Sequence, residues 1–174
     1  METPQYPAGP HTPEGDYGPA RRAELIEEIA NAPVALRDAV AGLTAAQLET
    51  RYRNWSIRQI VHHIADSHLN AYIRFKLALT EDHPTIKPYN EGSWVGLADT
   101  RTGDIQPTLD LLDALHARWV TLLLGMTDEQ FARAYVHPEA GASVRLSEAL
   151  SEYAWHGRHH TGQILWLRRR HSWS

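Results

Sequence analysis

Eleven of the 174 residues are His and none is Cys. With thiolates absent, a transition-metal site in this chain must be assembled from imidazole and carboxylate. The imidazoles are grouped. One run reads His62-His63-Ile64-Ala65-Asp66-Ser67-His68, and another reads Trp155-His156-Gly157-Arg158-His159-His160. His156 and His160 are four apart, so on a helix they stand one above the other on one face. Ala149, Tyr153, Gln163 and Leu167 continue that face. It borders an apolar stripe, so both rings are expected to point inward. Two neutral imidazoles one turn apart can reach a single ion at about 2.0–2.1 Å.

A third ligand would come from a facing helix, as in metal sites built inside bundles. His62, His63, Asp66 and His68 are the available donors. His68 lies on a seam with Ile57, Val61, Ile64 and Tyr72, while His63 lies beside it near Ile60 and Ser67. Helical geometry leaves the choice open. Three His with a vacant fourth position is a catalytic pattern, because structural zinc sites close with four protein ligands. Such an ion brings a water toward ionisation near neutral pH, or ionises a thiol.

The elements that must position these residues read as helices. Residues 1–19 contain Pro4, Pro7, Pro10, Pro13 and Pro19 and are expected to form an extended N-terminal arm, docked or free. Helical spacing at Leu25, Ile26 and Ile29 is interrupted by Pro33 and resumes at Val34, Leu36 and Val40, so one kinked helix or two abutting helices are expected, with a stop at Gly42. Thr44 to Gln47 is a capping box, as is Ser56 to Gln59, which opens a long helix to about Thr80. Residues 81–104 carry turn chemistry and read as a long loop. Pro107 starts a third long helix that ends at Gly125, Thr127 caps a short turn, and His137 to Gly141 is a loop. The last helix spans about Leu146 to Arg170, where Arg168, Arg169 and Arg170 suit the negative helix end. No segment shows sustained strand alternation. The expected architecture is all-α, a four-helix bundle over residues 20–174 preceded by the arm.

Composition excludes several classes. The 17 basic and 21 acidic residues give a net charge of −4, which argues against a nucleic-acid protein. No apolar run approaches the roughly 18 residues of a membrane span. Met1-Glu2-Thr3-Pro4 has no basic or apolar signal region, so a cytoplasmic location is expected. His11, His83, His116, His137 and His171 are read as loop or surface residues.

The run from Trp55 through His62-His63, Asp66, His68, Asn70 and Arg74 to Leu77 resembles the YfiT branch of the DinB-like metal-dependent hydrolases. So do Lys87-Pro88-Tyr89, Leu115-His116-Ala117-Arg118-Trp119 and Tyr153 to His160. The likeness extends from about Tyr17 to Trp173-Ser174. It implies a four-helix bundle holding one divalent ion, zinc or nickel, on His63, His156 and His160. It also implies a homodimer acting on a small molecule. The implied activity is hydrolysis by an activated water. A close variant is S-transfer from bacillithiol or a similar low-molecular-weight thiol.

Other residues receive roles from their position. Asp66 is expected either to hold a ligand ring or to pair with Arg58 or Asn70. His159 and His68 are expected as general base or pocket lining. Arg74, Tyr89, Asn90 and Arg158 are candidate contacts for an anionic substrate group. Two other readings compete with the enzyme. One is a non-catalytic metal-binding bundle, since no His-Glu-x-x-His carboxylate base is present. The other is a metal-free interaction module with polar core histidines.

Overall fold

The computed structural model describes residues 2–15, 17–139 and 141–173. The outermost residues of the expected arm and bundle, Met1 and Ser174, lie outside these, as do Asp16 and Ala140. The helices are α1 (Pro19–Val40), α2 (Ala45–Leu48), α3 (Ile57–Thr80), α4 (Glu91–Trp94), α5 (Ala98–Thr102), α6 (Gln106–Leu124), α7 (Asp128–Ala132) and α8 (Leu146–His171). Two short hairpins accompany them, β1 (Arg51–Tyr52) with β2 (Trp55–Ser56), and β3 (Ala134–His137) with β4 (Ala142–Arg145). The four long helices form a bundle in which α1 and α3 each pack against both α6 and α8.

Three capping boxes set helix starts. The hydroxyls of Thr44, Ser56 and Thr127 accept from the amides of Gln47, Gln59 and Gln130, whose side chains accept the return bond. Pro19 belongs to α1 rather than to the arm: lacking an N–H, it suits the first turn, where that donor has no partner. Pro33 does not divide the first helix, which runs through it as one 22-residue element. Helix α1 ends where Gly42 adopts φ +73°. There Arg168 of α8 donates to the carbonyls of Ala39 and Ala41 at 3.2 and 2.8 Å.

Among the described residues, the all-α bundle carries four short strands at its edges. Each is two to four residues long, too short to show alternation. The first hairpin sets Trp55 at the entrance to α3. In the second, Val136 joins Thr85 in a parallel bridge. Val136 donates to Pro84 at 2.9 Å and accepts from Ile86 at 3.0 Å. The expected loop at 81–104 is thus pinned to a strand and contains α4 and α5.

The core is in two parts. One contains Leu25, Ile29, Phe75, Trp119, Leu123 and Leu150. The other contains Leu36, Ile57, Ile60, Val61, Leu112 and Ile164. On every long helix a polar residue or proline lies between the two sets: Pro33 on α1, His68 on α3, His116 on α6, and His156 to Gln163 on α8. The arm lies on α8. Tyr52 donates to the Pro4 carbonyl at 2.5 Å, and the Trp155 indole donates to the Gly9 carbonyl at 2.9 Å. Gly162 leaves it room, since a Cβ there would touch Pro7 at 3.5 Å. No helix among the described residues is long and apolar enough to cross a membrane.

Candidate metal centre

Helices α3 and α8 bring His63, His156 and His160 together in the middle of the bundle. One nitrogen of each lies within 4.8 Å of the others. The Nε2 atoms of His63 and His156 are 3.2 Å apart. His160 sits edge-on to both rings, with centroids 4.8 Å from His63 and 4.5 Å from His156. His63 and His160 are buried, and His156 is partly exposed. Trp55 walls the site, its ring centre 4.5 Å from that of His63, and it lies nearly parallel to His160 at 6.2 Å.

Two of the three rings are oriented from behind. The Nδ1 of His160 donates to Oε1 of Gln163 at 2.9 Å, and Nε2 of Gln163 donates to Nε2 of His159 at 3.0 Å. His159 stacks on Trp155 at 4.7 Å, and Tyr6 of the arm lies 5.7 Å from it. The Nδ1 of His156 lies 3.1 Å from Nε2 of His68. His68 in turn contacts Nε2 of His116 through Nδ1 at 2.8 Å. His116 ends the series by donating from Nδ1 to the Ile29 carbonyl at 2.7 Å.

Burial is the main cause that keeps these imidazoles neutral. It lowers His62, His68, His116, His156, His159 and His160 below the usual histidine range, and brings His63 down to about 4. Neighbouring imidazoles add to the effect at His63, His68, His156 and His160. The Ile29 carbonyl opposes it at His116. Neutral rings are the form that ligates metal. The donor set fits a divalent ion: three neutral imidazoles, with two nitrogens 3.2 Å apart. Ligands on a tetrahedral ion with bonds of 2.0–2.1 Å stand about 3.3 Å apart.

A cavity of about 590 Å³ opens at His156, within the usual range for small-molecule sites. Arg74, Tyr89, Tyr135 and Tyr153 line it, with Glu91, Glu139 and Glu152 also contributing. Arg74 donates to the Tyr153 hydroxyl at 2.9 Å. Burial pushes the Tyr153 phenol up to about 12 and also raises Tyr89 and Tyr135. The Tyr89 hydroxyl is buried with no hydrogen-bond partner among the described residues.

The residues named from sequence are sorted by this geometry. Of the donors left open on α3, His63 joins the pair on α8, His68 stands behind His156, and His62 turns away to Thr108 at 2.6 Å. Asp66 holds no ring of the cluster. Asn70 meets its backbone carbonyl at 2.8 Å, and burial, with Asp99 second, pushes its carboxyl up to about 6. His159 has its Nε2 taken by Gln163. Arg74, Tyr89 and Asn90 line the cavity, although the Asn90 side chain also caps α4. Arg158 is outside it, paired with Glu28 at 3.0 Å beside the groove between α1 and α8. His116 is the clearest correction. It was expected on the surface but is 2% exposed. Its place on the stripe Leu112, His116, Trp119 and Leu123 was the available signal. Trp55 and Gln163 receive no role in the site from the sequence; no spacing rule marks Trp55, whereas Gln163 lies three residues after His160 on the face the ligands share.

The chain matches the family model described as DinB superfamily over residues 28–164. It is 44% identical over 171 residues to "Putative metal-dependent hydrolase YfiT" of Bacillus subtilis strain 168, covering 97% of this chain and 96% of the relative. A Bacillus cereus strain B4264 protein, also named "Putative metal-dependent hydrolase", is 45% identical, with 97% and 98% covered. A solved structure of Bacillus subtilis YfiT superposes with a TM-score of 0.94 at 43% identity, covering 97% of this chain and 98% of that one. It is described as a probable metal-dependent hydrolase with an unusual four-helix bundle topology.

Proposed function

This chain belongs to the DinB superfamily, and from that premise we propose that it is a metal-dependent hydrolase holding one divalent ion, zinc or nickel, on His63, His156 and His160. The observation that carries the reading is the convergence of three neutral imidazoles, two of them buried and the third opening onto a polar cavity. A bound ion supplies Lewis acidity, which brings a water at an open position toward neutral pKa and polarises a substrate oxygen.

The chain's own residues do the rest. Gln163 and His68 hold two of the rings from behind, so that nitrogens rather than ring edges face the common centre. Trp55 closes one side with apolar surface, which excludes water from the rings. On the cavity side, Arg74 offers a guanidinium fixed by Tyr153 to an anionic group of a small substrate. The Tyr89 hydroxyl, buried and unpartnered among the described residues, is free to donate to the same ligand.

Elemental analysis of the purified chain tests the reading. The wild type is expected to hold one divalent ion per chain, and the His63/His156/His160 triple Ala variant none. Equal metal in both would overturn the site. Ester and amide substrates, and a small thiol with an electrophile, are then offered to the loaded protein. Hydrolysis is the expected result. Thiol conjugation without hydrolysis would replace this reading with S-transfer, and turnover of neither would leave a metal-binding bundle.

A further inference from the structure

One hydrogen-bonded series in the middle of the bundle has its direction fixed at one end. Pro33 lies inside α1 and has no N–H. The carbonyl four residues earlier, that of Ile29, therefore lacks its intrahelical donor. His116 of α6 fills the gap from 87 residues away, its Nδ1 2.7 Å from that oxygen. A carbonyl can only accept, so His116 carries its proton on Nδ1. In a neutral ring Nε2 must then accept, and the partner 2.8 Å away is Nδ1 of His68, which must donate. The same step repeats. Nε2 of His68 accepts, so Nδ1 of His156, at 3.1 Å, donates. The remaining nitrogen of His156 is Nε2, the atom 3.2 Å from Nε2 of His63.

We propose that Pro33, Ile29, His116 and His68 are a positioning chain that holds His156 in its Nδ1–H tautomer and directs its Nε2 lone pair into the three-imidazole centre. The reverse order fails at the far end. It would set the bare Nδ1 of His116 against the Ile29 oxygen, two acceptors at 2.7 Å in a buried setting. Water cannot readily rescue the reversed order, because His68 and His116 are buried and packed edge-on to Trp119 at 5.9 Å each. His116 never touches the centre, so it acts only through His68 and His156. The metal consequence rests on the reading proposed above; the tautomer order does not.

Two measurements test it on the full chain. In metal-free wild type, long-range ¹⁵N–¹H correlation spectra are expected to show His116, His68 and His156 all protonated at Nδ1. An Nε2–H at any of the three would overturn the proposal, whatever the protein does with metal. Zinc is then titrated against a competing chelator. His116→Leu is expected to weaken zinc binding about 10-fold, the low end of the range for a group that touches a ligating His, because His116 acts through His68. His116→Gln keeps a donor for Ile29 and an acceptor for His68, and is expected to restore most of the affinity. Unchanged zinc affinity in His116→Leu, or equal loss in both variants, would overturn it. Wild type that takes up no zinc while keeping the tautomer order would refute the metal reading alone.

Discussion

The bundle's two apolar cores and the belt between them are made by the same four helices under different rules. Around Phe75, Trp119 and Leu150, and again around Ile57, Ile60 and Leu112, side chains are fully or almost fully buried and need only fill space. In the belt, size matters less than which atom gives a hydrogen and which takes it. Gln163 must present its oxygen to His160 and its amide to His159, and His116 must donate to Ile29. The apolar parts supply stability. The belt gives up some of it, because buried polar atoms contribute little net energy even when all are satisfied.

The largest effect is expected in the apolar core. Phe75 is fully buried and meets Trp119 edge-on at 5.5 Å, and Trp119 in turn stands 5.9 Å from His68 and His116. Phe75→Ala is expected to cost about 3–5 kcal/mol in urea unfolding, with zinc affinity of the folded protein reduced less than by loss of a hydrogen bond behind a ligand ring. A large loss of zinc affinity would show that the core and the belt are coupled.

Acid probes the belt itself. Its imidazoles have folded-state pKa values below 6.5, and His63 is near 4. The unfolded chain therefore binds more protons than the folded one once pH falls below 6.5, and metal-free protein loses stability from there down toward pH 4. At 1.36 kcal/mol per pKa unit, His63 alone accounts for roughly 3 kcal/mol. Urea midpoints measured from pH 7.5 to 4.5 should fall steadily, and flat midpoints would mean that the rings are not held neutral by burial.

The smallest effect is the most local. Gln163→Leu keeps the bulk but removes both hydrogen bonds behind His160 and His159. Zinc affinity is expected to drop about tenfold, or 1.4 kcal/mol, by chelator competition. No change would mean that packing alone orients His160.

Much of the fold was legible because its signals are local. Ser56 with Gln59 and Thr127 with Gln130 announce helix starts within four residues, and the apolar stripes follow the helical period. The pairing of His156 with His160 is likewise a matter of spacing on one helix. Choosing His63 over His68 needed the resemblance, because both adjoin the seam of α3 and the difference lies in how α8 faces them. His116 reads as a solvent-face residue when its helix is taken alone, whereas its register with Leu112, Trp119 and Leu123 carries it inside. The continuity of α1 through Pro33 was illegible for a related reason. What satisfies the freed carbonyl is a ring on another helix, and no local pattern encodes it.

The arm has a consequence of its own. Pro4, Pro7, Pro10 and Pro13 preset φ near −65°, so the undocked segment explores fewer shapes and forfeits less entropy on binding than a Gly- or Ser-rich strap would. A few anchors then suffice, among them the carbonyls of Pro4 and Gly9 and the ring of Tyr6. The outer side of α8 at Trp155 and His159 is thereby sealed through stiffness of the chain rather than through bulk.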